Sequence, residues 1–386
     1  MNISSVLASY GKIREMSITN RFLKHADVLQ LIGNLSESFK VKTVGTSEEN
    51  RSLNLVTWGK GITKIFIWSQ MHGDEATGTM AIFDLLNLLG DKSYSNIADH
   101  LSKNCTLYFL PMVNPDGAER FLRRNANQID LNRDYLKTVS AESKILKSVR
   151  EQIAPHFGFN LHDQETLWSV KHTGKPATLS YLAPAYDEAL SVNEIRTNAM
   201  LVVADIFHEM NQLLPNQIGL FDDEHEPRAF GDNFQAEGTS TILIEAGGLH
   251  MDPEKQQIRT YYMLSMLAGL RSICSQNYLQ QNVSNYYAIP SNDKQIFHIL
   301  IHNVTIGNIN TSIGVNYAEQ PTENGLSTIK TFVIKDIGDL NFCWAYETYK
   351  SPTHTLQGDI VLEQYANFNL LDNGEIILAF KDGLLH

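Results

Sequence analysis

Ile65-Phe66-Ile67-Trp68-Ser69-Gln70-Met71 runs directly into His72-Gly73-Asp74-Glu75, an apolar strand-like segment leading to an imidazole and a carboxylate three residues apart. The strand supplies a rigid arm, and the turn after it aims two side chains at one point. Gly73 is expected to let the backbone bend between them. Zinc takes neutral imidazole and carboxylate oxygen, and a catalytic zinc has three protein ligands and one open position. A third ligand is therefore expected far along the chain.

The same grammar recurs downstream. Leu107–Val113 is a second buried-strand pattern and ends in Asn114-Pro115-Asp116-Gly117; Phe157–Leu161 runs into His162-Asp163; Thr239–Ile244 runs into Glu245-Ala246-Gly247-Gly248. Helical patterns lie between them at Ala76–Leu89, Ala141–Ile153 and Ser191–Leu214. Strands alternating with helices predict an α/β fold, a mixed and largely parallel sheet flanked by helices. Ligands of such sheets bind beyond the carboxyl ends of the strands. His72, Glu75, Asn114, His162 and Glu245 would all sit there.

Taken in order, His72-x-x-Glu75, Asn114-Pro115-Asp116-Gly117, the stretch Arg123–Tyr135 containing Asp130-Leu131-Asn132-Arg133, His162 and Glu245 resemble the zinc carboxypeptidase (funnelin) family over roughly residues 45 to 275. The resemblance implies zinc held by His72, Glu75 and His162, with Glu245 as general base and acid. It implies that Asn132 and Arg133 hold a substrate carboxylate, that Arg123 polarises the scissile carbonyl, and that Asp130 orients His72. Arg124 competes with Arg123 for its role. The chemistry is coherent by itself: zinc makes water a nucleophile at neutral pH, an unliganded carboxylate moves the proton, and a guanidinium that stays charged offsets the oxyanion.

Each residue also has a plainer reading. His162 alone reads as a core histidine, Glu245 as a turn cap, and Arg120, Arg123 and Arg124 as a solvated face. The joint placement of His72, Glu75, Asn114, His162 and Glu245 at strand ends favours a site, with Arg120 still read as a surface residue. The departures from the family pattern bear on substrate. Digestive members follow the second histidine ligand with Ser-Tyr, where this chain has Asp163-Gln164. Phe221-Asp222-Asp223-Glu224-His225 stands where they carry a tyrosine, and Gln128 replaces a glycine. The acidic loop favours a basic or amide-bearing substrate. The reading is a zinc metallocarboxypeptidase-like hydrolase acting on small peptides. The alternatives are a zinc amidohydrolase or deacylase acting on an N-acyl amino acid, and a non-catalytic binding module. One zinc is expected; Asp222, Asp223 and His225, with Asp163, are the candidates for a second metal, against the plainer reading of an exposed acidic loop.

The chain has 386 residues, 43% of them hydrophobic, and a net charge of −12. That charge argues against nucleic acid and anionic membrane as partners, and no apolar run approaches membrane-spanning length. The N-terminus lacks a secretory pattern. Cys105, Cys274 and Cys343 are widely spaced; the first two read as buried thiols, so a cytoplasmic protein is expected. The catalytic domain is expected over 1–285, starting with a helix at Ala26–Phe39 and a strand at Phe39–Val44. After a linker-like stretch at 280–295, Phe297–Ile306, Thr328–Ile334 and Glu375–Phe380 predict a C-terminal β-sandwich or barrel over 295–386. His298 and His302 share one side of a strand or helix there, with no third ligand in view.

Overall fold

Ile65, Phe66, Ile67 and Trp68 are fully buried at the middle of an eight-stranded sheet. They belong to a computed structural model that describes residues 3–306 and 309–386. The chain forms two compact units: residues up to Thr166 with Ala177–Asn292, and Leu167–Pro176 with Asp293–His386.

In the first unit the strands are β1 (Lys40–Thr46), β2 (Ser52–Gly59), β3 (Thr63–Ser69), β4 (Cys105–Leu110) and β5 (Phe157–Asp163). Beyond the short β6 (Ser169–Val170), which belongs to the second unit, come β7 (Leu179–Leu182), β8 (Ile218–Leu220) and β9 (Ser240–Ala246). The order across the sheet is β1-β2-β4-β3-β5-β9-β7-β8. The central strands β4, β3, β5 and β9 run parallel, while β1, β2 and β7 join antiparallel to their neighbours towards the centre. This is the mixed, largely parallel α/β sheet that the sequence predicts. It forms because the central segments are apolar without alternation, as strands covered on both faces must be.

Helices Thr77–Gly90, Glu194–Met210 and Gln256–Ser275 bury most of their residues. The first follows the His72 turn at once and packs so closely on the sheet that a Cβ at Gly78 would lie 2.7 Å from the Leu161 Cβ. At the amino end the expected helix over Ala26–Phe39 is shorter, His25–Gly33, since Asn34 closes it. The stretch expected to be linker contains the helix Val283–Tyr287, whose buried Tyr286 accepts a hydrogen bond from the Ala183 amide. Apolar aromatic anchors hide easily among polar residues in such a segment.

Cys105 and Cys274 are not thiols: they form a disulfide. One opens β4 and the other lies in the last turn of helix Gln256–Ser275, with Cα atoms 6.2 Å apart, within disulfide reach. Among the described residues no helix is long and apolar enough to cross a membrane.

The second unit is all-β. One four-stranded sheet has the order Thr328–Gly338, Ile309–Pro321, Ile296–Ile306, Trp344–Lys350, and the other His354–Asp359, Asn367–Asp372, Glu375–Lys381, Leu384–Leu385. Both contribute to one core, including Ile301, Val315, Ile334, Phe368 and Phe380. Ile296–Ile306 and Trp344–Lys350 pair in parallel, a pairing that the antiparallel pattern of the sequence does not announce. The segment 167–176, drawn from between β5 and β7, completes this unit: Ser169 Oγ donates to the Asp293 carbonyl at 3.0 Å, and Lys294 lies over the Trp168 ring.

Candidate metal centre

The carboxyl ends of β3, β5 and β9 meet at one buried point. His162, the sixth residue of β5, stands directly opposite Glu245 in the parallel register with β9. The Tyr262 hydroxyl ties these ends together, donating to the carbonyls of Ile244 and His162 at 2.6 and 3.2 Å. His72 and Glu75 reach the same point from the turn after β3. Glu75 lies between the two imidazoles: Oε1 is 2.7 Å from His72 Nδ1 and Oε2 is 2.7 Å from His162 Nδ1. One ligand atom from each of the three residues falls within 4.8 Å of the others, and among the described residues no other such metal-binding group occurs.

The chain turns at Gly73 as expected, closed by the Glu75 amide on the His72 carbonyl at 3.1 Å, but the need for glycine there has a different cause. Gly73 does not supply a left-handed bend; it lets the turn press against the chain at Gly117, where a Cβ would come within 2.1 Å of backbone. Asn114 holds that second chain segment, accepting from the Gly117 amide and donating to the Arg123 carbonyl.

Around the cluster, Asp130 Oδ1 lies 3.2 Å from His72 Nε2 and Oδ2 accepts from Arg123 Nε at 3.0 Å. Burial pushes the Asp130 carboxyl up, but His72 and Arg123 outweigh it and hold it well below the usual range. An ionised Asp130 keeps the proton of His72 on Nε2, leaving the Nδ1 lone pair for a cation. Arg123 Nη1 stands 3.3 Å from Glu75 Oε1, and with 42% of the side chain exposed the guanidinium faces both the cluster and solvent. Arg124 instead donates to the Gln128 carbonyl and is exposed. The structure thus brings Arg123, and not Arg124, to the cluster.

Glu245 is buried, and its Oε2, like Nε2 of His162, has no hydrogen-bond partner among the described residues. Burial, then the neighbouring carboxylates of Glu75 and Asp163, push its carboxyl well above the ordinary range. Burying an unsatisfied carboxylate is costly, so its persistence beside three metal-ligand types is an argument for chemistry. Two imidazoles and one carboxylate match the donors of hydrolytic zinc sites, and the orphaned Glu245 oxygen is what a site prepared for a cation and water would leave. The residues fit zinc.

The remaining predicted residues lie at one side. Asn132 Oδ1 accepts from the Phe230 amide, joining the Leu131–Arg133 turn to the 226–230 loop. Arg133 is exposed and its Nε pairs with Glu226 at 2.9 Å. Asp223 is engaged by the buried Arg196, Asp222 accepts from the Glu224 amide, and no metal group forms there. Asp163 accepts from Thr77 and from the buried Lys255 Nζ at 2.9 Å. Gln164 is likewise engaged, donating to Ala177 O and Ser180 Oγ and accepting from Asn292. Sequence reasoning passed over Lys255, Glu226 and Arg228. Lys255 lies outside every motif; the Glu-Pro-Arg run 226–228, a carboxylate and a guanidinium beside an already suspect acidic loop, was visible.

The model of the zinc carboxypeptidase family matches residues 27–188, a span that contains His72, Glu75, Arg123, Asp130, Asn132, Arg133 and His162 and stops short of Glu245. Carboxypeptidase 2 of Trichophyton rubrum is 32% identical over 103 residues, 26% of this chain and 19% of that protein. Carboxypeptidase SOL1 of Arabidopsis thaliana is 38% identical over 66 residues, 17% of this chain and 13% of that protein. The match to the first therefore spans about a fifth of the relative's length. Among solved structures, a metallo-carboxypeptidase from Burkholderia cenocepacia aligns with a TM-score of 0.54 at 16% identity, over 66% of this chain and 69% of that one. Bovine thrombin-activatable fibrinolysis inhibitor, solved with tick carboxypeptidase inhibitor, aligns with a TM-score of 0.54 at 14% identity, over 66% of this chain and 98% of that one. At such identities these two likenesses speak for the fold. Residues 27–188 thus match the zinc carboxypeptidase family, and the fold around them is that of the solved carboxypeptidases.

Proposed function

We propose that this protein is a zinc-dependent metallopeptidase that hydrolyses an amide bond next to a free carboxylate, a metallocarboxypeptidase of small peptides. The observation that carries the reading is the convergence of His72, Glu75 and His162 beside a buried Glu245 with an unpartnered oxygen. Zinc held by those three would supply Lewis acidity, making water more acidic and drawing electron density from a carbonyl. Glu245 accepts the proton of the attacking water at its carboxylate and returns it to the departing nitrogen. Its unpartnered Oε2 is the atom left open to take and return that proton. Arg123, held through Nε by Asp130, offers its remaining N–H groups to the negative charge that grows on the carbonyl oxygen. Asp130 fixes the tautomer of His72. Arg133 anchors the substrate carboxylate, and Asn132 holds the loop beside it.

The test is metal analysis joined to turnover. About one zinc per chain is expected, lost in His72→Ala. Glu245→Gln should keep the metal while turnover of N-blocked peptides with a free carboxyl end falls by about 10²–10⁴. A Glu245→Gln variant within tenfold of the parent removes Glu245 from this role, and a folded protein without metal leaves a binding module. Turnover confined to N-acyl amino acids selects the deacylase reading.

A further inference from the structure

Glu226 occupies a crowded place. Arg228 grips its carboxylate with both ends of a guanidinium, Nε to Oε1 at 2.8 Å and Nη2 to Oε2 at 2.7 Å, and the Arg228 amide also donates to Oε1. Arg133 touches the same carboxylate through one contact, Nε to Oε2 at 2.9 Å. The loop that carries Glu226 is fastened at each side: the Glu226 amide donates to Asp232 Oδ1, the Tyr135 amide to the Arg228 carbonyl, and the Phe230 amide to Asn132 Oδ1. The turn it is fastened to begins at Asp130, whose Oδ1 faces His72. A carboxylate is thus held beside the metal cluster on the guanidinium assigned to the substrate's carboxylate.

We propose that Glu226 is a built-in occupant of the carboxylate subsite, which the substrate's carboxylate displaces from Arg133 while Arg228 keeps Glu226 paired. The inference rests on the proposed role of Arg133. The asymmetry of the contacts supports it. Arg133 has a single bond to Glu226, its Nη1 being held locally by the Asn132 carbonyl at 2.8 Å, and is exposed, so it is open to an incoming anion, whereas the bidentate Arg228 pair satisfies both Glu226 oxygens by itself. Arg228 first, with Arg133 adding to it, holds the Glu226 carboxyl down at about 2, so it competes as an anion at any physiological pH. Glu226 and Arg228 then set specificity: a weak anion or a neutral amide leaves the latch closed, and a carboxylate opens it. Because no anion has to leave bare, the exchange costs little, in keeping with exposed ion pairs.

The experiment measures Kd by calorimetry for N-acetyl amino acids with aliphatic, aromatic, acidic and basic side chains, each compared with its C-terminal amide. Glu226→Gln should bind the carboxylate probes about two- to fivefold more tightly, the size expected of one exposed ion pair, with the amides unmoved. Arg228→Ala, leaving Glu226 with Arg133 alone, should weaken carboxylate binding by about the same factor. The double variant should bind as Glu226→Gln does, since the competitor is then gone. A merely structural loop would give losses in both singles, felt by amides and carboxylates alike. Unchanged or weaker carboxylate binding in Glu226→Gln overturns the inference while leaving the anchor, provided that Arg133→Ala abolishes the preference for carboxylate over amide. If Arg133→Ala keeps that preference, or the parent shows none with any probe, the anchor itself is wrong and this inference falls with it.

Discussion

A Cβ built on Gly73 would lie 2.1 Å from the Gly117 carbonyl carbon and 2.3 Å from the Ala118 nitrogen, both backbone atoms that cannot swing aside. The metal turn and the Asn114–Arg120 segment therefore fit together only if residue 73 has no side chain. Gly73→Ala must push the two segments apart, and an overpacked buried site costs about 1–3 kcal/mol or more. The expected outcome is a lowered Tm together with zinc occupancy well below the parent's, because His72 and Glu75 flank the displaced residue. A variant with parental Tm and full zinc would show that the close approach does not matter. At this scale the sequence was informative where chemistry follows a strand. His72, Glu75, His162 and Glu245 each end or follow an apolar segment, so their meeting was legible. Which of Arg123 and Arg124 turns inward was not, because the irregular segment between Phe121 and Asp130 has no period to fix a facing direction. Nor was the closeness of Arg133 to Glu226, since nothing local links a turn at 133 to a loop 93 residues later.

Among the elements, the second unit's strand Ile296–Ile306 carries a histidine with a measurable consequence. His298 is buried, stacks on Tyr317 with ring centres 3.6 Å apart, and accepts the Tyr317 amide through Nδ1 at 3.1 Å. Burial first, and then the charge of Lys330, lower its pKa from 6.5 to about 3. A histidine lowered in the fold stays neutral while the unfolded chain takes up a proton. Its contribution is therefore fully present above the unfolded pKa of 6.5 and is lost as pH falls towards about 3. Each pH unit in that window removes on the order of 1.4 kcal/mol from the stability of the β unit. Replacing His298 with Gln, which retains an acceptor, should flatten the fall of stability between pH 6.5 and 4, read by denaturant titration at several pH values. An identical pH slope in the variant would mean that His298 titrates normally. Strands of this kind were foreseen within a few residues of their ends, because β-branched runs bounded by Gly, Asn and Asp announce themselves. The parallel partner Trp344–Lys350 and the donated segment 167–176 were not, since both are decided by pairing across long separations.

At the scale of the whole chain, the three cysteines change the account of where the protein works. Spaced apart and set in apolar surroundings, Cys105 and Cys274 read as inert thiols; only the fold brings the start of β4 to the end of helix Gln256–Ser275 and shows them bonded. The bond closes 169 residues of sequence and so restricts much of the first unit's unfolded chain. A structural disulfide of that reach suits an oxidising compartment better than a cytosol kept reduced by thiols. It bears against the cytoplasmic setting that the cysteine spacing suggested. The proposal is countable: denatured without reductant, the protein should expose one alkylatable thiol, Cys343, and after reduction all three. Opening the bond should cost on the order of 2–4 kcal/mol, a Tm lower by roughly 5–15 °C, with zinc content unchanged at room temperature because the metal residues lie on other elements, the turn after β3 and the end of β5. Material isolated from an oxidising compartment with three free thiols would return the protein to the cytosol. A single thiol with no loss of Tm on reduction would leave the bond real and without weight in the stability of the fold.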